Sequence, residues 1–468
     1  MLAAALAAAA GCAPRPQPPP VHDGPIVLVT FDALRADVVG ALGGPPGLTP
    51  HLDALARRSD WVGRGIAPSS WGVPAHAALA TGLQPWQHGA LHVGSAVLSP
   101  ELTTLAEALR RAGWRTLAYR DGHWLSPRFG YEQGFDRFHE LAGGRKAEAR
   151  LARLAGREFV WLHLREPEAP YLRRDDLLDR VPDAPPGLPP RVGEMRIERW
   201  FDPARQLPEA ERRLFWAMYR LNVAAADQRL GRLLAALERS GQWDRTLLAV
   251  TAGHGEAFGE HGQAGHGGNL GREQIEVPLL IKLPRGVGRR LAPPPAQRVG
   301  TVRLWATLVE AAGGRALPAT APSLFRQAAP AVLSELYLAN GTNEFSLVAG
   351  DLQLRWRSRF APAEPGYYAT RLASLAERGR GRQARRLFQR LRTAFDATPP
   401  LAGAGEPELI LERWEGVRGT RPVDDPARRA ALAADLERAF RRAAPEELTP
   451  AEEVRYTARS RAGGPPGP

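Results

Sequence analysis

Apolar runs that stop abruptly on polar residues set the pattern of this chain. Residues 26–31 read Ile-Val-Leu-Val-Thr-Phe and end on Asp32; residues 247–252 read Leu-Leu-Ala-Val-Thr-Ala and end on Gly253 and His254. Unbroken apolar runs of this length are how strands look when both faces of a parallel sheet are covered. The stretch from Val160 and the run Val277–Ile281 have the same character. Between such runs, apolar positions recur at helical spacing over Thr49–Arg58, Leu102–Ala112 and the long Glu209–Ser240, which predicts helices there. Thr49 is expected to cap the first helix, with Pro50 at its first position. Strands alternating with helices over residues 25–330 predict an α/β fold with a mostly parallel central sheet flanked by helices. Shorter runs at Ala331–Glu335, Phe345–Val348 and Leu352–Trp356 predict further strands, in a smaller carboxyl-terminal α+β subdomain spanning residues 331–458. Within it a helix is expected over Asp424–Arg442, capped by Asp424 or Asp425.

Residues 1–24 are not part of that pattern. Met1–Gly11 is almost all Ala and Leu, and Cys12 follows as the only cysteine. Ala9-Ala10-Gly11-Cys12 resembles a bacterial lipobox, in which the cysteine becomes lipid-modified. The Pro-rich stretch Pro14–Pro20 would then be an extended tether. The expected location is the bacterial cell envelope, lipid-anchored and facing the periplasm or the outside. A mature chain without cysteine needs no disulfide there. Residues 459–468 are expected to be disordered.

Composition changes the picture only modestly. The 468 residues carry a formal charge of +12, and lysine occurs only at Lys146 and Lys282, so the positive charge is arginine. Abundant Ala, Arg, Gly and Pro read as the codon bias of a GC-rich genome, and no specific nucleic-acid partner is expected from charge alone. An anionic envelope polymer, or a sulfated or phosphorylated ligand, fits better. Arg371, Arg378, Arg380, Arg382, Arg385, Arg386, Arg390 and Arg392 crowd a stretch of helical pattern over residues 365–396. It reads as a solvated helix face, or as a surface that docks on anionic lipid or polymer.

The motifs carry more. Residues 31–37 read Phe-Asp-Ala-Leu-Arg-Ala-Asp, residues 69–82 read Ser-Ser-Trp-Gly-Val-Pro-Ala-His-Ala-Ala-Leu-Ala-Thr-Gly, and residues 251–256 read Thr-Ala-Gly-His-Gly-Glu. Thr49–Ala56, Leu125–Gly130, Gln133–Asp136, Val160–Tyr171, Glu260–Gly262 and Gly265–Gly267 follow in a consistent order. Together these segments resemble the sulfatase branch of the alkaline-phosphatase superfamily, from about residue 25 to about residue 330. The resemblance implies that family's α/β fold with a small antiparallel sheet on its carboxyl side. It also implies ester hydrolysis by an oxygen nucleophile beside one divalent metal.

Residue by residue the resemblance is incomplete. The nucleophile position is Gly72, which has no side chain to attack with. Gly253 stands where the family has a metal carboxylate, and Ala33 follows Asp32 where an oxygen donor is usual. Asp32 and His254 remain as implied metal ligands, and His76 and His163 match implied catalytic positions. Glu168 replaces a histidine that would contact the substrate's anionic group; like charges at ~4 Å cost about 1 kcal/mol in water and more when shielded. His261, His266 and Glu256 could join His254, His76 and Asp32 in a different site, where imidazoles would favour zinc over calcium. Ser69 and Ser70 lie near Gly72 and could supply a displaced hydroxyl; loop hydrogen bonding is the plainer reading. Arg35 and Asp37 read as a structural pair. The expectation is therefore a non-catalytic family member that binds an anionic ligand or partner and needs no cofactor. The alternative is an active hydrolase of sulfuric or phosphoric esters with a rebuilt site and one divalent metal: calcium, magnesium, manganese or zinc.

Overall fold

The computed structural model describes residues 22–91, 96–122, 124–141, 144–193, 208–286, 288, 290–327, 331–337, 342–359, 408–415 and 419–443. The lipobox with Cys12, the Arg-rich stretch 365–396 and the tail 459–468 lie outside them.

The central sheet has eight strands: β1 (Ile26–Asp32), β2 (Trp61–Ile66), β3 (Arg115–Arg120), β4 (Arg137–Glu140), β5 (Glu158–Pro167), β6 (Leu247–Ala252), β7 (Glu276–Lys282) and β8 (Val299–Gly300). Their order across the sheet is β8-β2-β7-β6-β1-β5-β3-β4. β7 runs antiparallel to both its neighbours; the other pairings are parallel. The mostly parallel sheet is as the apolar runs predict.

Alternation along β1 explains why every residue of that run is buried. Val27, Val29 and Phe31 join one apolar core, whereas Ile26 and Leu28 join the core on the opposite face. Helices α1 (Pro50–Ala56), α4 (Arg145–Leu151) and the long α5 (Glu209–Arg239) cover the first face. Helices α2 (Gly72–Thr81), α3 (Leu105–Arg111) and α6 (Leu304–Ala311) cover the second.

Caps follow the sequence in part. Thr104 accepts from the Glu107 backbone N–H at 3.1 Å while Glu107 accepts from the Thr104 N–H at 2.8 Å, a reciprocal cap at the start of α3. Thr49 corrects the expectation for α1. Its hydroxyl accepts from the Gly40 N–H and donates to Asp53, leaving the helix start uncapped by it. Asp227 on α5 caps α1 from outside, accepting from the N–H groups of His51 at 3.1 Å and Leu52 at 2.8 Å.

A second, antiparallel sheet of five strands follows: β9 (Ala331–Tyr337), β10 (Thr342–Ala349), β11 (Leu352–Arg359), β12 (Glu408–Glu415) and β13 (Gly419–Pro422). Helix α7 (Pro426–Ala443) starts where Asp425 accepts from the Arg428 N–H at 2.8 Å. Leu432 of α7 packs on one face of this sheet with Phe345, Leu347, Leu354 and Leu411. Val332, Leu336, Val348 and Trp414 on the other face pack against Ile66, Leu270 and Ile275 of the larger unit. The edge is stitched as well. Ser334 donates to the Ala67 carbonyl at 2.7 Å, the Glu335 N–H donates to Pro68 O at 2.8 Å, and Glu335 accepts from the Trp86 N–H at 3.0 Å.

Candidate active site

Register brings the site together. Thr30 of β1 lies beside His163 of β5 and Thr251 of β6, so Asp32, His163 and the Gly253–His254 turn meet at the carboxyl ends of three adjacent strands. That is where open parallel sheets place their sites. Helix α2 points its amino terminus at the same place and carries His76 one turn in.

Asp32 is the centre. One of its oxygens lies 3.5 Å from Nε2 of His76 and 3.9 Å from Nε2 of His254; the other lies 3.2 Å from Nε2 of His163. All four side chains are buried, the most exposed being Asp32 at 7%. The outward nitrogens are fixed. Nδ1 of His76 donates to the Gly72 carbonyl at 2.8 Å, and Nδ1 of His254 donates to the Gly255 carbonyl at 2.8 Å. A carbonyl only accepts, so in both neutral rings the lone pair is on Nε2, facing Asp32. Nδ1 of His163 lies 3.1 Å from the Thr30 hydroxyl, which accepts from Nε1 of Trp161.

The inner atoms have no such partners. Asp32 Oδ1 and the Nε2 atoms of His76, His163 and His254 are buried without a hydrogen bond among the described residues. Burial pushes His76 down to about 4 and His254 down to about 3, despite the attraction of Asp32. Burial would raise the Asp32 carboxyl, but His163 and His76 outweigh it and hold it below the usual carboxylate range. An ionised carboxylate facing the lone pairs of His76 and His254, with Nε2 of His163 3.2 Å away, is a donor set that a cation completes. Asp32, His76 and His163 each offer an atom within 4.8 Å of the others. Of the two expectations, no cofactor or one divalent metal, the second has a donor set here: Asp32, His76 and His163 can hold an ion.

The glycines at 72 and 253 show which way a side chain at each position would point. A Cβ built on Gly72 would lie 3.7 Å from Asp32 Oδ1, 3.7 Å from His254 Nε2 and 3.9 Å from His76 Nδ1, with room to spare. Residue 72 therefore faces the centre. At Gly253 a Cβ would fall 2.5 Å from Cε1 of His76, so the His76 ring occupies the space a larger residue would need. Ala33 is held with φ of +56°, while its carbonyl accepts from the Tyr219 hydroxyl at 2.8 Å.

A second layer adjoins the first. The His266 ring lies 4.3 Å from that of His254, centre to centre. Its Nδ1 donates to Glu256 at 2.9 Å, and its Nε2 lies 3.4 Å from Glu168. Burial opposes charge on His266, but Glu256 and then Glu168 outweigh it and push it up to about 9. Glu168 is itself pushed up to about 7 by burial and by Asp32. Glu168 thus faces an imidazolium, a partner that its position in the motif did not reveal. Tyr171 also donates to Glu256, at 2.8 Å.

Other candidates lie elsewhere. His261 does not join Asp32: its Nδ1 is 3.1 Å from Glu273 and its Nε2 is 3.1 Å from Glu412 of β12. Arg35 and Asp37 form the expected pair through two hydrogen bonds, with Arg35 also donating to Glu260 and the Glu256 carbonyl. Ser69 and Ser70 are fully buried. Thr30 and Trp161, which fix His163, were missed because nothing in a strand's apolar run marks a residue as an outer support.

An eight-stranded, mostly parallel sheet with a histidine–carboxylate cluster at its carboxyl ends defines an α/β protein of the alkaline-phosphatase-like kind. The family model described as Sulfatase matches residues 25–153 and 206–314, more than half of the chain. The chain belongs to the sulfatase family. Among curated proteins it is similar to the multifunctional alkaline phosphatase superfamily protein PehA of Trinickia caryophylli, 25% identical over 55% of this chain and 68% of that protein. It is similar also to an ulvan-active sulfatase of Formosa agariphila, 25% identical over 55% of this chain and 56% of the relative. Among solved structures, the phosphonate monoester hydrolase of Agrobacterium radiobacter has a TM-score of 0.55 at 20% identity, covering 82% of this chain and 99% of that one. A 2-O GAG sulfatase has a TM-score of 0.58 at 16% identity, covering 81% and 94%. These likenesses show the fold. Members of the family usually use a divalent metal.

Proposed function

We propose that this chain is a sulfatase-family protein without the family's covalent ester hydrolysis, and that it uses the cleft beyond β1, β5 and β6 to bind an anionic ligand. Residue 72 carries the reading. It is the first residue of α2, its Cβ direction faces Asp32 and His254, and it is glycine. No hydroxyl or thiol stands there to form a bond to sulfur or phosphorus. Gly253 adds to this, because a carboxylate there would have to displace His76.

Anion binding has support of its own. The amino terminus of α2, which has no side-chain cap from Trp71, points at the cleft, and His266 is positively charged beside it. A divalent ion on Asp32 and its histidines would neutralise charge on the oxygens of a sulfate or phosphate group. The printed names of two relatives, ulvan-active and 2-O GAG sulfatase, favour a sulfated polysaccharide as the ligand.

A second reading is an active hydrolase with a rebuilt metal site. The unpartnered Nε2 atoms of His76, His163 and His254 favour it. The full chain, supplied in turn with zinc, manganese, magnesium and calcium, separates the two. Aryl sulfate, phosphodiester and phosphonate monoester turnover should stay at background while a sulfated polysaccharide binds in calorimetry. Turnover that Asp32→Ala abolishes would establish the hydrolase instead.

We also infer from the lipobox resemblance that Cys12 carries a lipid and ties the chain to an envelope membrane. Among the described residues no helix is long and apolar enough to cross a membrane. Cys12→Ala should move the protein from membrane to soluble fractions. Retention of that variant in the membrane would remove the anchor.

A further inference from the structure

We propose that Asp32, His76 and His163 form an imidazole-rich site for a zinc-class ion, created because the His76 ring fills the volume left by glycine at 253. The inference goes beyond the reading above, since it concerns which cation the cleft takes and holds with or without hydrolysis.

Three observations carry it. The first is orientation. The His76 imidazole is locked through Nδ1 onto the Gly72 carbonyl at 2.8 Å, and His163 is backed by the Thr30 hydroxyl at 3.1 Å. Histidines that bind metals are usually held this way, with the outer nitrogen tied down and the inner lone pair free. The second is spacing. Asp32 lies 3.2 Å and 3.5 Å from the Nε2 atoms of His163 and His76. Ligands ~2.0–2.1 Å from one tetrahedral ion are about 3.3 Å apart. The third is satisfaction. Among the described residues, Asp32 Oδ1 and the Nε2 atoms of His76 and His163 are buried with no hydrogen-bond partner. Buried groups of that kind normally have one, and a single cation would serve the three that lie within 4.8 Å of one another.

Donor chemistry then selects the ion. Calcium and magnesium take several oxygens, preferably anionic. Here one carboxylate meets two imidazoles, a set suited to zinc and its neighbours in the transition series. Gly253 and His76 are coupled in this account. A side chain at 253 would drive His76 out of the site, because its Cβ would lie 2.5 Å from Cε1 and 3.1 Å from both ring nitrogens.

The test is metal stoichiometry and competition on the full chain, stripped with chelator and dialysed against zinc, manganese, magnesium or calcium. We expect one equivalent of zinc to be retained and calcium not to displace it. Loss of an outer support alone costs 10–100-fold in metal affinity, so His76→Ala or His163→Ala should weaken zinc by about 100-fold or more. The double variant Gly253→Asp with His76→Ala exchanges an imidazole for a carboxylate, and its preference should move toward manganese, magnesium and calcium. Thermal melts confirm that each variant is folded before its binding is read. A wild-type chain that retains no stoichiometric ion, or a folded His76→Ala that binds zinc as tightly as wild type, overturns the proposal. Ester turnover by the zinc-loaded chain would remove the non-hydrolytic reading and leave this one standing; metal without turnover supports both.

Discussion

Two glycines beside one histidine should respond in opposite ways to the same methyl group. Neither Gly72 nor Gly253 has a positive φ, so backbone strain does not enter. At residue 253 the added carbon would sit 2.5 Å from Cε1 of His76, far inside contact distance. The ring cannot retreat freely, because it is fully buried and its Nδ1 is bonded to the Gly72 carbonyl. Overpacking of a tight interior costs about 1–3 kcal/mol, and breaking a buried hydrogen bond adds about 1–3 kcal/mol. Gly253→Ala should therefore destabilise by about 2–6 kcal/mol. At residue 72 the nearest atoms would be 3.7 Å away, an ordinary contact. Gly72→Ala should be neutral or stabilising by up to about 1 kcal/mol, through lower unfolded-state entropy and better helix propensity. Urea unfolding followed by tryptophan fluorescence compares the two variants, with equal slopes required for the midpoints to report stability. Equal midpoints, or a less stable Gly72→Ala, would refute the claim that His76 occupies the place of a side chain at 253.

Three further outcomes follow from the geometry. Asp227→Ala should cost about 2–3 kcal/mol in the same assay, since it leaves the His51 and Leu52 N–H groups at the start of α1 without their acceptor; a loss under 0.5 kcal/mol would show that water replaces it. His266 is raised from 6.5 to about 9, so its contribution to stability is complete below pH 6.5 and disappears as pH climbs through 9. His266→Gln should flatten the stability profile over that window, and an unchanged slope would speak against the charged pair with Glu256. Burial raises Glu335 to about 8, so stability from its protonated form is full below pH 4.5 and lost as pH rises through 8. Glu335→Gln should be the more stable protein above pH 8, and a variant that gains nothing there would mean the carboxylate is accommodated ionised.

Much of this was legible in the chain. The apolar runs 26–31 and 247–252 announce strands buried on both faces, and their polar ends announce a site. The motif order announces the family and brings Asp32, His76, His163 and His254 to one place. What stayed hidden depends on side-chain direction and on distant partners. Thr49 looks like a cap, yet Asp227, 176 residues away from His51, performs that task. His261 shares its motif with His266, but its backbone sits at φ +50° and its ring turns toward Glu273 and Glu412. Glu412 belongs to β12, a strand that short-range periodicity did not pick out. The relation between Gly253 and His76 is steric, and a sequence lists volumes without saying which of them meet.

The stitching of β9 to the segment after β2 bears on how this protein can be inherited and cut. Ala67 and Pro68 accept from β9 only a few residues ahead of Gly72, and Glu335 reaches back to the backbone at Trp86. A fragment ending near residue 330 would bare Ile66, Leu270 and Ile275, which now lie under Val332, Leu336, Val348 and Trp414. The two sheets are therefore one heritable unit. A chimera that borrows its carboxyl-terminal sheet from a relative must bring the matching 66–70 loop with it, or the start of α2 loses its footing.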